Sequence, residues 1–215
     1  MAIQIEGFTF NNFQENTYLL IDENKDCVII DPGCSNRAEE NFFLEFIRNN
    51  QLNPVALLNT HAHLDHIMGN QFIQTEFNLD HYLHKDDLPT LESAPRSAAV
   101  YGIPGFTPSP TPNKLLNGGE KLTFGNIELE VLFTPGHAPG HVVFYNEKEK
   151  FVINGDVLFR GSFGRYDLPG GNLETLKKSI KEVMFELPED TIVYSGHGPA
   201  TSIGNEKYSN PILNY

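Results

Sequence analysis

The chain has 215 residues, of which 40% are hydrophobic, and its 28 acidic against 15 basic side chains give a formal net charge of −13. This length suits one compact domain or two fused half-domains, and the apolar content is enough for a core, so a disordered chain is excluded. The acidic balance and the lack of a Lys/Arg cluster disfavour nucleic acid and anionic membrane surfaces as partners.

The start of the chain and its two cysteines bear on where the protein works. Met1 to Glu6 lacks the basic and apolar regions of a signal peptide, and no stretch is long and apolar enough to span a bilayer. Cys27 and Cys34 belong to no Cys-x-x-Cys or Cys/His cluster; two reduced thiols or one disulfide would fit, and a reducing compartment favours the thiols. We therefore expect one domain over residues 1–215, located in the cytoplasm.

The first half of the chain predicts a β-meander, a helix and a further strand. Apolar and β-branched residues favour strands near Ile3–Phe10, Thr17–Ile21, Cys27–Ile30 and Val55–Leu58. Asp31-Pro32-Gly33 ends the third strand, and the residues after it place Phe43 and Ile47 on one face of a helix. A second helix is expected near Ile67–Phe77.

The second half repeats this order after a loop rich in proline and glycine from Tyr101 to Glu120. Four strands are expected near Ile127–Phe133, His141–Tyr145, Phe151–Asn154 and Thr191–Tyr194. A helix from about Leu173 to Phe185, with Asn172 as its N-cap, precedes the last strand. This order of elements predicts two layered sheets covered by helices.

Three histidines and an aspartate lie within six residues, in the segment Thr60-His61-Ala62-His63-Leu64-Asp65-His66. In an extended loop His61 and His63 point the same way and can share one metal, whereas Asp65 and His66 can reach a neighbouring one. Imidazole and carboxylate ligands suit zinc, iron and manganese. The alternative is a polar loop in which Asp65 caps the following helix. That alternative does not explain why three histidines and an aspartate occur within six residues.

Three more residues of ligand type follow the ends of predicted strands: His137, Asp156 and His197. Taken singly, each could be a capping or packed side chain. Strand ends on one edge of a layered sheet are nevertheless a rigid place to gather ligands, so their joint recurrence favours a shared site.

The other histidines are expected to have different roles. His141 follows His137 by four residues and is expected behind the metal ligands or in packing. His81 and His84 fall on a short strand-like segment before a helix, and we expect them to be structural or exposed.

These segments resemble the ordered motifs of the metallo-β-lactamase fold superfamily. The motifs that carry the resemblance are Thr60–His66, Thr134–Gly140, Gly155-Asp156 and Ser195–Pro199. Within the superfamily the chain is similar to short, single-domain members of the glyoxalase II (hydroxyacylglutathione hydrolase) group. That similarity is carried by Asn16-Thr17-Tyr18, Asp31-Pro32-Gly33 and the stretch Leu158 to Gly171.

The resemblance implies an α/β (α+β) fold, a four-layer αββα sandwich of two mixed sheets flanked by helices. It also implies two divalent metal ions, with zinc favoured over iron or manganese. By this resemblance His61, His63 and His137 hold the first metal and Asp65, His66 and His197 the second, while Asp156 bridges the two.

The activity implied is hydrolysis of a small-molecule thioester, of the hydroxyacylglutathione hydrolase type, by a hydroxide between the metals. Asp65 and Asp156 are the expected catalytic residues. Arg160, Ser162, Arg165 and Asp167, in the stretch after Asp156, are candidate substrate residues. An Arg165–Asp167 salt bridge that orders this stretch is an equally good interpretation.

Other readings stay open at this point. The chain ends at Tyr215, soon after His197, without the helical extension that supplies basic residues for glutathione in longer members, so recognition of glutathione is undecided. A mononuclear iron persulfide dioxygenase of the same fold is the main alternative, followed by a hydrolase of another ester or lactone. A β-lactamase, an RNA-processing nuclease and a non-enzymatic binding module are weaker alternatives. The oligomeric state does not follow from the sequence.

Overall fold

The inner strands of the protein are buried on both faces, which is the pattern of sheets covered on two sides. In a computed structural model, which describes residues 2–215, these strands form two mixed six-stranded sheets. The first sheet contains β1 (Gln4–Phe10), β2 (Glu15–Ile21), β3 (Asp26–Ile30), β4 (Asn53–Leu58), β5 (Asp80–His84) and β6 (Lys114–Leu116) in that order. Strands β1 to β3 are antiparallel, and β3 to β6 are parallel.

The second sheet is built from the second half of the chain. Its members in chain order are β7 (Lys121–Phe124), β8 (Ile127–Phe133), β9 (Val142–Asn146), β10 (Phe151–Gly155), β13 (Ile192–Ser195) and β14 (Thr201–Ser202). A separate small hairpin of β11 (Leu158–Phe159) and β12 (Ser162–Phe163) lies between β10 and β13 in the chain. Only β10 and β13 pair in parallel; the other pairs in this sheet are antiparallel.

Helices cover the outer faces of the two sheets. They are α1 (Arg37–Asn49), α2 (Leu64–Ile67), α3 (Asn70–Phe77), α4 (Leu88–Val100), α5 (Leu173–Lys178) and α6 (Ile203–Ser209). A π-helical segment, Ser179–Val183, and a 3-10 turn, Met184–Glu186, extend α5. Single 3-10 turns occupy Lys85–Asp87 and Pro211–Asn214. No helix within residues 2–215 is both long and apolar enough to cross a membrane.

Three apolar layers follow the sheets, and a fourth apolar cluster packs α2 against α4. The central layer lies between the sheets and includes Leu20 and Val28 from the first sheet and Phe144 from the second. One outer layer packs Phe43 of α1 on the first sheet, and the other packs Leu176 of α5 on the second. The predicted αββα sandwich is thus confirmed, and both cysteines are buried free thiols, as expected.

Two predicted elements differ from the structure. The helix predicted near Ile67–Phe77 is two helices, α2 and α3, broken at Gly69, whose N–H donates to Pro32 O at 2.7 Å. A Cβ at Gly69 would lie 2.4 Å from Cys34 Sγ, so glycine lets the break pack against the turn after β3. The predicted loop Tyr101 to Glu120 contains β6, a short edge strand that the surrounding prolines and glycines hide in the sequence.

The layer between the sheets supports a stability prediction. Phe144 is fully buried there, so Phe144→Ala should lower the free energy of unfolding by about 3–5 kcal/mol, because it removes apolar contact and leaves a cavity. Phe42→Ala is the matched control, since Phe42 is 58% exposed and should lose less than about 1 kcal/mol. Urea unfolding of both variants measures the difference, and equal losses would contradict a core centred between the sheets.

Candidate metal centre

The ends of four strands supply the candidate ligands. His61 and His63 follow β4, and the short helix α2 carries Asp65 and His66. The loops after β8, β10 and β13 supply His137, Asp156 and His197, respectively. These loops meet at one edge of the two-sheet sandwich, so the structure brings all seven predicted ligands together.

His61, His63 and His137 form the first group. One nitrogen from each ring lies within 4.8 Å of the others, and His63 Nδ1 is 2.8 Å from His137 Nε2. Burial lowers the pKa of His61 well below its ordinary value and that of His63 to about 3, and it also lowers the pKa of His137. The rings are therefore neutral at pH 7, which is the protonation state that binds a metal.

The outer ring nitrogens of this group are held by neighbouring residues. Thr60 Oγ1 lies 3.0 Å from His61 Nδ1, and the backbone oxygen of Arg165 lies 2.7 Å from His137 Nδ1. These contacts orient the rings, with Nε2 of His61 and His137 directed into the group.

Asp65, His66 and His197 form the second group, again with their ligand atoms within 4.8 Å of one another. His197 Nε2 lies 3.1 Å from Asp65 Oδ2, and His66 Nε2 lies 3.9 Å from it. Burial alone would lower the pKa of His66, but Asp156 and Asp65 outweigh it and raise that pKa well above its ordinary value. A positive charge, carried by a proton or by a metal ion, is therefore favoured at this second group.

Asp156 lies between the two groups. Its Oδ2 is 3.5 Å from Nε2 of both His137 and His197, and its Oδ1 is 3.5 Å from His66 Nε2. Burial would raise the pKa of Asp156, but the three imidazoles outweigh it and hold that pKa well below the ordinary value. A carboxylate in this position can reach a cation in either group.

The donor set fits divalent metal ions. Within residues 2–215, His61 Nε2, His66 Nε2 and Asp156 Oδ1 are buried without a hydrogen-bond partner. Buried polar atoms are almost always satisfied, so several orphans facing one another indicate a bound cation. Imidazole nitrogens with carboxylate oxygens are a set that zinc, iron and manganese all accept.

Asp31 also lies close to His61 and His66, in a third possible grouping of ligand atoms. Its carboxylate already accepts from Thr60 N at 2.8 Å and Thr60 Oγ1 at 2.6 Å, and it faces Nδ1 of His66 at 3.1 Å. Asp31 therefore orients His66 from behind. In the sequence it belongs to the turn motif Asp31-Pro32-Gly33, which carries part of the resemblance, but nothing there predicted a role in orienting His66.

Asn59 and two further histidines lie behind the ligands. His141 Nε2 accepts from Asp156 N at 3.0 Å, which fits the expectation that it supports the ligands. Asn59 Nδ2 donates to His66 O at 3.0 Å, and His81 Nε2 lies 2.7 Å from Asn59 Oδ1. His81 and His84 are both buried, so the exposed alternative considered for them is wrong.

A cleft of about 670 Å³ opens over both groups. Most of its wall is apolar, and the residues that line it outside the ligands are Phe13, Leu64, Arg96, Ser97, Val100, Tyr101, Phe159, Ser162, Phe163, Arg165, Leu168 and Pro169. Four of them, Arg96, Ser97, Val100 and Tyr101, lie on or directly after α4, in a region that the sequence motifs did not mark.

The four candidate substrate residues divide into two pairs. Ser162 and Arg165 line the cleft, whereas Arg160 and Asp167 are exposed and lie outside its lining. Arg165 Nε and Nη2 donate to the two carboxylate oxygens of Asp167 at 3.0 and 3.1 Å. The ion pair expected as an alternative is therefore present, although its exposure limits what it adds to stability.

The ligand groups, together with the family and the relatives that follow, identify a metallo-hydrolase. The sequence profile described as "Metallo-beta-lactamase superfamily" matches residues 11–197, and the chain belongs to that family. It is 42% identical to "Probable metallo-hydrolase YqgX" of Bacillus subtilis over 94% of this chain and 93% of the relative. It is 37% identical to "Hydroxyacylglutathione hydrolase GloC" of Haemophilus influenzae over 99% of each chain.

Two solved structures share the whole architecture. The crystal structure of BLEG-1 B3 metallo-beta-lactamase has a TM-score of 0.91 and 38% identity, and it covers 99% of this chain and 100% of its own. The crystal structure of TTHA1623 in a di-iron-bound form has a TM-score of 0.87 and 40% identity, with 97% and 100% covered. A structural relative with two bound irons agrees with the pairing of ligand groups described above.

The network behind the ligands supports a pH prediction. Burial lowers the pKa of His81 from an ordinary 6.5 to about 4. As the pH falls below 6.5, His81 takes up a proton in the unfolded chain, but in the folded chain it does so only near pH 4. Protonation therefore favours the unfolded chain, and the free energy of unfolding decreases as the pH falls from 6.5 to about 4. Between pH 7.5 and 5, His81→Gln should lose about 2 kcal/mol less stability than the wild type.

Urea unfolding at both pH values, with chelator present, measures this loss. Glutamine keeps an N–H donor for Asn59, so the variant should fold. An equal loss of stability in the wild type and in His81→Gln would show that His81 does not contribute to acid sensitivity.

Proposed function

We propose that this chain is a thioester hydrolase with two divalent metal ions, one held by His61, His63 and His137 and one by Asp65, His66 and His197, with Asp156 between them. The likeness to GloC over the full length of both chains supports a thioester as substrate. The di-iron form of TTHA1623 supports the number of metals. Zinc, iron and manganese all suit these ligands, and we favour zinc.

The observation that carries the choice of substrate is the composition of the cleft. Apart from the proposed ligands, no residue lining it within residues 2–215 is Asp, Glu, His or Lys. An amide or alkyl ester would need a general acid to protonate its leaving group. A thiolate leaves without that help, because thiols ionise near pH 8.5. The cleft therefore suits cleavage of a carbon–sulfur bond.

In this proposal each step uses side chains that face the cleft. When bound, two divalent cations would lower the pKa of a water from about 15.7 to about 7 and would polarise a carbonyl oxygen. Asp65 orients the water and accepts its proton, since its carboxylate lines the cleft and is tied to His197 at 3.1 Å. The water oxygen bonds to the acyl carbon, the sulfur leaves as a thiolate with the electron pair of the broken bond, and Asp65 releases its proton to solvent.

β-Lactam hydrolysis is a second candidate activity, favoured by the likeness to BLEG-1. The two activities place different demands on the cleft, because the leaving group of a β-lactam is an amide nitrogen, which must take up a proton.

Parallel assays of S-D-lactoylglutathione, simple acyl thioesters, a lactone and a chromogenic β-lactam separate the candidates. Thioester turnover at least 100-fold above β-lactam turnover is expected. One iron per chain with oxygen consumption would instead indicate the persulfide dioxygenase.

Removal of a ligand should abolish the activity. His61→Ala and Asp156→Asn should each lower kcat/KM by at least about 100-fold and reduce the metal content, since each residue faces a cation in the proposal. Asp190→Asn is the control, because Asp190 is exposed and pairs with Lys150 away from the cleft. Full activity in both ligand variants would overturn the metal-dependent mechanism.

Arg96 should select anionic substrates. It lines the cleft, and no carboxylate within residues 2–215 forms an ion pair with it, whereas Arg165 is held by Asp167. Arg96→Gln should raise KM about twofold to fivefold for thioesters that carry a carboxylate, with little change for neutral ones. Arg96→Lys should keep part of the wild-type preference for carboxylate-bearing thioesters, because it keeps the positive charge. Lys178→Gln, which removes a charge on α5, should leave KM unchanged for both substrate types. An equal change for both substrate types would contradict this role.

A further inference from the structure

Asp87 is a fully buried carboxylate outside the seven proposed ligands. It ends the 3-10 turn Lys85–Asp87, directly before α4. No lysine or arginine within residues 2–215 forms an ion pair with it, so its charge is stabilised by hydrogen bonds. Removing a carboxylate from water in this way is costly, and the bonds it makes are therefore informative.

Those bonds join two separate loops. Ala62 N donates to Asp87 Oδ2 at 2.5 Å, and Gly140 N donates to Asp87 Oδ1 at 3.1 Å. Ala62 lies between His61 and His63 in the loop after β4, and Gly140 lies in the loop after β8 that carries His137. One carboxylate thus holds both loops that supply the first ligand group.

The residue at position 140 gives an independent indication of this contact. A Cβ on Gly140 would lie 2.4 Å from Asp87 N and 2.6 Å from Asp87 Cβ, closer than real side chains approach. The backbone of Gly140 is not in the left-handed region, so its conformation alone does not call for glycine. Close approach of the loop to Asp87 is what excludes a side chain there.

Asp87 also fixes the start of α4. Thr90 Oγ1 donates to Asp87 Oδ1 at 3.1 Å within the first turn of that helix. The far end of α4 supplies Arg96 and Tyr101 to the cleft wall. The same carboxylate therefore sets the ligand loops and this wall relative to each other.

We propose that Asp87 is a positioning residue for the first metal: it fixes the separation of the His61-Ala62-His63 loop and the His137 loop, and so sets the affinity of that site. This inference rests on the two-metal assignment proposed above and is independent of the substrate. Residues that orient ligands from behind commonly change metal affinity by about 10–100-fold when they are altered.

The test is a competition titration of the whole protein with Zn²⁺ or Co²⁺ against a chelator. In Asp87→Asn one acceptor oxygen becomes an NH2 group that faces a backbone N–H, so one of the two loops is released. We expect affinity at the His61/His63/His137 site to fall about 10–100-fold, with the Asp65/His66/His197 site unchanged within about threefold. Single-site variants, His63→Ala and His197→Ala, assign each binding step, and the Co²⁺ spectrum reports the altered ligand geometry.

Two further variants complete the test. Asp86→Asn removes the same charge one residue away, where the side chain is exposed and bonds to neither loop, and it should titrate like the wild type. Gly140→Ala should reproduce the weakened first site with Asp87 intact, because it pushes the loop away. Circular dichroism and thermal unfolding show whether Asp87→Asn folds. If it does not fold, Gly140→Ala alone tests the proposal.

First-site affinity within threefold of the wild type in both Asp87→Asn and Gly140→Ala would overturn the proposal. Equal weakening of both sites would also overturn it, because that result describes general loosening of the fold. Failure of thioester turnover in the wild type leaves the titration unaffected, so the two proposals fail separately.

Discussion

The structure depends on one electrostatic constraint: five imidazoles and two carboxylates share a small volume that is largely removed from water. Asp156, within 3.5 Å of nitrogens from three different histidines, is the centre of that constraint. Burial favours neutral rings in the first group, while the carboxylates of Asp65 and Asp156 attract protons or cations at the second group. Such an assembly persists only where rigid surroundings hold the side chains against relaxation, and the two-sheet sandwich provides those surroundings.

The support behind the ligands is as specific as the ligands. Asp31 holds Thr60 and faces His66, His141 accepts from the backbone of Asp156, and Asp87 joins the loops after β4 and β8. These residues come from parts of the chain that are far apart in sequence. The candidate metal centre is therefore a product of the whole fold, although four of its seven candidate ligands lie in one short segment.

Much of the fold, and which candidate ligands come together, was predictable from sequence, because both depend on local patterns. Buried strands are visible in the sequence as runs of apolar residues, and His61 to His66 is a dense cluster of metal-ligand residue types at the end of a strand. Of the supporting residues, His141 was expected behind the ligands, whereas the roles of Asp31 and Asp87 were not, since Asp31 looks like a turn residue and Asp87 like the start of a helix. The break at Gly69 and the edge strand β6 were missed for a related reason: contacts with distant segments decide them. The cleft wall from α4 depends on how that helix packs, which periodicity does not specify.

The loop after β12 has a consequence of its own. Arg165 presents its side chain to the cleft while its backbone oxygen holds Nδ1 of His137 at 2.7 Å. One residue thus touches the substrate space on one side and a metal ligand on the other. Thermodynamic linkage requires that if occupancy of the cleft changes the affinity of the first metal by some factor, that metal changes substrate affinity by the same factor. Under the proposed function, substrate and metal would then be reciprocal effectors, with Arg165 as the residue that contacts both sites.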